Sequence, residues 1–265
     1  MNWKKKRNRW ARHVLFMCLM YSALSSAATA EVMKWTVGGV QREAMVFGPS
    51  RKTDSGKAPL VFAFHGHGDT MQNFAEGVRI SWPEAIVVYP QGLPTNAADD
   101  PEGFGWVYKP GTDGQRDVMF FDAMLETIRA KFPVDNRRIY ATGFSNGGMF
   151  TYVLWGARAN IFAAFAAVAG RIVPEVHLPM AKPLLVVAGE QDETVPYKEQ
   201  LKAIQTARAV NGTNDAGAPC GKGCTTYASS KGTPVTTYIH GGGHVYPEGT
   251  SEMIVKFFKS YTLAQ

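Results

Sequence analysis

The chain is poor in cysteine, in net charge and in long apolar runs. Cysteine occurs three times in 265 residues, and beyond residue 30 only Cys220 and Cys224 remain. Two cysteines without a neighbouring histidine do not make a zinc site. They are also too few to build a disulfide-framed fold. Charge imbalance is absent once the first thirty residues are set aside. That stretch holds Lys4, Lys5, Lys6, Arg7, Arg9 and Arg12 and no acid; the other 22 basic residues face 22 acids. A neutral remainder argues against a nucleic-acid partner. No segment after residue 30 is long and apolar enough to cross a bilayer. Internal repeats, low-complexity tracts and interdomain linkers are missing as well, so the pattern suits one domain with a substantial core.

The six early charges read as the n-region of a secretory leader. Val14–Leu24 supplies an apolar h-region, and Ala28-Thr29-Ala30 fits a small-x-small cleavage site. Residues 1–30 are therefore expected to be a signal peptide, with Glu31 as the mature N-terminus and no membrane association after cleavage. The competing reading is an uncleaved anchor, for which the apolar run is short. Export, secreted or periplasmic, places Cys220 and Cys224 in an oxidising compartment. A disulfide between them across Gly221-Lys222-Gly223 is expected. Asn211-Gly212-Thr213 matches a glycosylation sequon.

Hydrophobic patterning sets the fold class. Met33–Val37 and Arg42–Phe47 flank Gly38-Gly39 as a hairpin. Pro59–Phe64, Ala85–Tyr89, Ile139–Thr142, Phe162–Val168 and Leu184–Ala188 are short apolar runs of the kind buried on both faces of a parallel sheet. Helical spacing is expected over Gln72–Val78, Asp117–Lys131, Tyr197–Val210 and Glu252–Tyr261, with a buried helix beginning at Met149. Pro234–His240 alternates as a last strand. Asn211–Gly223 reads as a loop insertion carrying Cys220 and ending just before Cys224. Strands alternating with helices predict a mostly parallel sheet covered on both faces, with an N-terminal antiparallel hairpin.

Between the Ile139–Thr142 strand and the Met149 helix stands Gly143-Phe144-Ser145-Asn146-Gly147. In a strand–turn–helix context, G-x-S-x-G is a nucleophile elbow. The turn lifts the serine hydroxyl clear and aims the helix's first amides at it. The alternative is an ordinary turn with a serine N-cap. A serine nucleophile needs a base, and the base needs an orienting acid. Such groups converge past the carboxyl ends of strands. Asp192 lies there after Leu184–Ala188, with Glu190 and Glu193 as competitors. His244 lies beyond Gly241-Gly242-Gly243, with His240 and His177 as competitors. Ser145, Asp192, His244 is the chain order of an α/β-hydrolase. The oxyanion donors are then the Asn146 amide and the His67 amide after the Leu60–Phe64 strand, with Gly68 the alternative to His67 and His65 a structural residue. His65-x-His67-x-Asp69 also resembles the metal motif of metallo-β-lactamase-like hydrolases, but Thr70 stands where that motif has a further histidine.

With these residues placed, the chain resembles secreted α/β-hydrolase esterases, the group of feruloyl esterases, acetylxylan esterases and LpqC-like polyhydroxybutyrate depolymerases. The matching segments are Leu60–Asp69, Tyr89–Leu93, Gly105-Trp106, Arg116–Asp122, Arg138–Met149, Gly189–Pro196 and Gly242–Pro247. The resemblance implies an α/β-hydrolase fold over residues 31–265 and a serine carboxylesterase with triad Ser145, Asp192 and His244 and oxyanion donors His67 and Asn146. It implies no cofactor and no metal. The expected substrate is a small-molecule or oligosaccharide ester, first a feruloylated cell-wall fragment. Polyhydroxyalkanoate depolymerase and acetylxylan esterase are alternatives with the same triad, and a non-catalytic extracellular binding protein is the alternative of another class. Phe104, Trp106 and Tyr108 lie in a long loop, where Trp106 could stack a cinnamoyl ring or serve as a core plug.

Expression in a secreting bacterial host should yield a chain that starts at Glu31 on N-terminal sequencing. A membrane-bound product retaining residues 1–30 would contradict the leader assignment.

Overall fold

The apolar runs become the inner strands of a ten-stranded sheet in a computed structural model of the chain, which describes residues 30–74, 76–95, 102–107 and 115–263. The leader assignment rests almost wholly on residues 1–29, and these, with Tyr108, lie outside the described residues. The expected hairpin is β1 (Glu31–Val37) and β2 (Val40–Phe47). Then come β3 (Ala58–Phe64), two short helices α1 (Met71–Phe74) and α2 (Gly77–Ser81), and β4 (Ile86–Pro90). The excursion expected as loop contains a small bridge between β5 (Leu93–Pro94) and β6 (Phe104–Gly105). After it follow α3 (Arg116–Lys131), β7 (Val134–Phe144), α4 (Asn146–Arg158), β8 (Ala164–Val168), β9 (Leu184–Gly189) and α5 (Tyr197–Asn211). The chain closes with β10 (Ala218–Gly221), β11 (Cys224–Tyr227), β12 (Val235–His240) and α6 (Thr250–Phe258).

The strand order is β1-β2-β4-β3-β7-β8-β9-β12-β11-β10, with β4 through β12 mutually parallel. Each inner strand feeds two cores by alternation. In β3, Leu60, Phe62 and Phe64 pack into one core with α3, α4 and α5. Val61 and Ala63 point the other way, toward α1, α2 and α6. That is why these strands are apolar at every position. The chain leaves β3 toward β4 on one side and returns to β7 on the other. A crevice between β3 and β7 is the consequence, and ligands of open α/β sheets bind in such crevices.

Two expectations need correction. The predicted Gln72–Val78 helix is α1 and α2, two separate short helices. The cysteine-bearing insertion is not a loop. It forms the β10–β11 hairpin, antiparallel and paired onto β12, with Cys220 and Cys224 disulfide-bonded at its turn. Its strands are short and rich in Thr, Pro and Gly, so no apolar alternation marked them.

One buried ion pair ties the loop after β6 to the sheet. Arg42 on β2 and Asp117 on α3 are 3% and 1% exposed. Arg42 Nη2 donates to Asp117 Oδ1 at 2.8 Å, and the Val107 amide donates to Oδ2 at 2.8 Å. The guanidinium also lies 4.1 Å from the Phe120 ring centroid. Burial pulls the Arg42 guanidinium below its ordinary pKa while Asp117 pulls it back up. Removing one partner strands the other charge in the interior. Asp117→Leu alone should lose about 3–5 kcal/mol in urea unfolding. Adding Arg42→Met should recover more than half of that loss; additive losses would contradict a coupled pair.

Candidate active site

Ser145 closes β7 and begins the turn into α4. Its φ is 54° and its ψ is −116°, a conformation that costs an L-residue strain. Two constraints impose it. The Ser145 amide donates to Val168 O on β8 at 2.8 Å. Strand and helix also touch: a Cβ on Gly143 would lie 2.4 Å from Gly147 C, and one on Gly147 would lie 2.2 Å from Phe64 O. Only glycine permits such approach. The hydroxyl is thus presented over the crevice, beside the loop after β3. A Cβ on Gly66 would lie 3.6 Å from Ser145 Cβ.

The three residues singled out by chain order meet here. His244 Nε2 is 2.8 Å from Ser145 Oγ, and His244 Nδ1 is 2.8 Å from Asp192 Oδ2. Asp192 is 4% exposed. Its Oδ1 accepts the Thr194 and Val195 amides at 3.0 and 2.9 Å, and its Oδ2 also accepts Gln200 Nε2 at 2.9 Å. The competing acids Glu190 and Glu193 are exposed, as is His177. His240 ends β12, where its Nδ1 accepts the Gly242 amide at 3.1 Å. The glycine run lets the base loop lie against the acid loop. Glu190 N donates to His240 O at 2.9 Å and Gln191 N to Gly242 O at 3.0 Å. Phe144 covers the imidazole, with ring centroids 4.9 Å apart.

The loop after β3 is held from below. His65 is fully buried; its Nε2 accepts the Gly92 amide at 2.9 Å, which leaves the proton on Nδ1, 2.7 Å from Gly66 O. Burial lowers the imidazole pKa, favouring the neutral form that this bonding needs. Both ring nitrogens face backbone partners, so His65 does not fit the metal-ligand reading of His65-x-His67-x-Asp69. Among the described residues no cluster of three or more His, Cys, Asp or Glu could hold a metal. The Gly68 amide donates to Phe104 O at 2.8 Å. That directs it away from an oxyanion and favours His67 over Gly68 as the donor.

The expectation that Trp106 contacts substrate is overturned. Trp106 is fully buried, stacked on Phe150 and edge-on to Phe64 at centroid distances of 5.4 and 5.0 Å. Its indole Nε1 donates to His65 O at 3.0 Å. Asn146 clamps the same residue: Oδ1 accepts the Trp106 amide at 2.6 Å, and Nδ2 donates to Trp106 O at 2.9 Å. Trp106 is a core plug that braces both loops bearing the oxyanion candidates. An aromatic-lined cleft of 390 Å³ lies elsewhere, bounded by Asp69, Asn73, Phe74, Tyr89, Phe144 and Tyr246. Phe144 links it to His244. Sequence reasoning missed Gln200, the Asn146 side chain and this cleft. Only the cleft left a trace, as Phe144 and Tyr246 each flank a triad residue.

Comparison with known proteins places the chain among esterases. The sequence pattern of the prolyl oligopeptidase family matches residues 107–174, the stretch around the elbow. "Probable feruloyl esterase C" of Aspergillus clavatus is 31% identical over 85% of this chain and 88% of its own. Feruloyl esterase C of Emericella nidulans is 30% identical over 70% and 69%. A solved ferulic acid esterase superposes with a TM-score of 0.63 at 17% identity, covering 88% of this chain and 98% of its own. The chain is thus an α/β-hydrolase carboxylesterase and belongs to the feruloyl esterase C family.

Proposed function

We propose that residues 31–265 form an exported serine esterase that hydrolyses hydroxycinnamoyl esters, feruloylated saccharides foremost. The uninterrupted relay Ser145–His244–Asp192, 2.8 Å at each link, carries the reading. The aromatic cleft beside it supports the choice of acyl group, since a phenyl ring packs well against Phe74, Phe144 and Tyr246.

In this mechanism His244 Nε2 takes the Ser145 proton as Oγ attacks the ester carbonyl. Asp192 holds Nδ1–H and stabilises the imidazolium. The Asn146 and His67 amides receive the oxyanion, each donor contributing about 3–4 kcal/mol. His244 returns its proton to the departing alcohol, leaving an acyl-Ser145 ester. Water then attacks that ester, with His244 again as base, and the free acid departs. No step calls on a cofactor.

Ser145→Ala should lower kcat on methyl ferulate by about 10⁵–10⁶. Phe74→Ala should raise KM for methyl ferulate about tenfold and leave nitrophenyl acetate turnover unchanged. Trp106→Ala should instead destabilise the fold by about 3–5 kcal/mol in urea titration. Equal loss on both esters in Phe74→Ala would place the acyl group outside the cleft.

A further inference from the structure

The acid of the relay has a second side-chain partner besides His244. Gln200 ends the first turn of α5, is fully buried and lies eight positions past Asp192. Its Nε2 donates to Asp192 Oδ2 at 2.9 Å and to Val195 O at 2.7 Å. Both partners are pure acceptors, so the amide orientation is fixed and both of its hydrogens are used. Oδ2 is the same oxygen that faces His244 Nδ1. With the Thr194 and Val195 amides on Oδ1, the carboxylate has four donors for its four lone-pair sites. Gln200 Oε1 is buried with no hydrogen-bond partner among the described residues. Both Nε2 hydrogens are spent on the acid loop, so the amide donor is the part of the side chain that the position uses.

We propose that Gln200 is a positioning residue of the hydrolytic relay: it fixes the Asp192 carboxylate and shares the charge of Oδ2 with His244. The inference rests on the serine-triad reading. Without Gln200, Oδ2 directs its full charge at Nδ1. The imidazolium is then favoured, and the base needs a higher pH to become neutral. The carboxylate also gains freedom to turn, which misaligns the base.

Other titratable groups near the pair do not take this part. Glu190 and Glu193 on the acid loop are exposed, His240 bonds to Gly242, Tyr246 bonds to Ser251, and Phe144 faces the imidazole without charge. Tyr197 opens α5 and bonds through its amide to Asp192 O, not to the carboxylate. Among the described residues, only Gln200 and His244 offer side-chain donors to Asp192.

The test is the pH dependence of kcat/KM for nitrophenyl acetate in Gln200→Met, per active site counted by fluorophosphonate titration. The acid limb should move up by about half a pH unit or more. Plateau kcat/KM should fall about tenfold through kcat, with KM little changed. An acid limb at the wild-type pH, whatever the plateau, would overturn the proposal. If Gln200→Met does not fold, nitrogen-15-labelled wild type serves. The Gln200 side-chain amide protons should shift when a fluorophosphonate adduct on Ser145 charges His244, and unmoved protons would overturn the proposal. Activity persisting in Ser145→Ala removes the triad reading itself. An unmoved limb with Ser145→Ala inactive removes only Gln200.

Discussion

The forced conformation of Ser145 is the constraint on which the site depends. A residue at φ 54° and ψ −116° stays there only if its surroundings overdetermine it. Here the Val168 carbonyl holds its amide from one side, and the strand–helix contact at Gly143 and Gly147 closes the other. The parallel sheet supplies both restraints, because β3, β7 and β8 end at the same level. The strain stored at the elbow places the hydroxyl over the crevice before any substrate arrives. Preorganisation of this kind leaves little rearrangement for the reaction itself.

Around that point the groups are fixed through buried polar side chains bonded to backbone, not through surface charge. His65 bridges the ends of β3 and β4, Asn146 grips Trp106, and Asp117 receives the Val107 amide. Each bond fastens one loop to a neighbour that carries a different part of the site. Such side chains are costly to bury alone and effective when fully paired. Several of the buried polar residues thus stand where loops around the site must keep register. Trp106 completes the arrangement as a hydrophobic brace, with its indole proton used on the His65 carbonyl.

Much of this was legible in the residues. Apolar runs located β3, β4, β7, β8 and β9 because parallel strands bury both faces. Chain order placed Ser145, Asp192 and His244 because each follows a strand. The rest was hidden for physical reasons. The β10–β11 hairpin carries no hydrophobic alternation, since its strands are exposed or half-exposed. Trp106 could be a binding platform or a core plug because a loop aromatic can face substrate or core equally well, and only packing decides. Gln200 sits on a helix, and nothing in the sequence pairs it with Asp192. Its partner Asp192 is brought to it by the fold of the acid loop.

The mechanism turns on acyl transfer to one hydroxyl, and trapping that acyl group tests it most directly. Wild-type protein mixed with excess methyl ferulate, quenched in acid within milliseconds and mapped by peptide mass should carry one feruloyl group on Ser145. The same group on another side chain, or ferulate release at the wild-type rate by Ser145→Ala, would contradict the covalent mechanism.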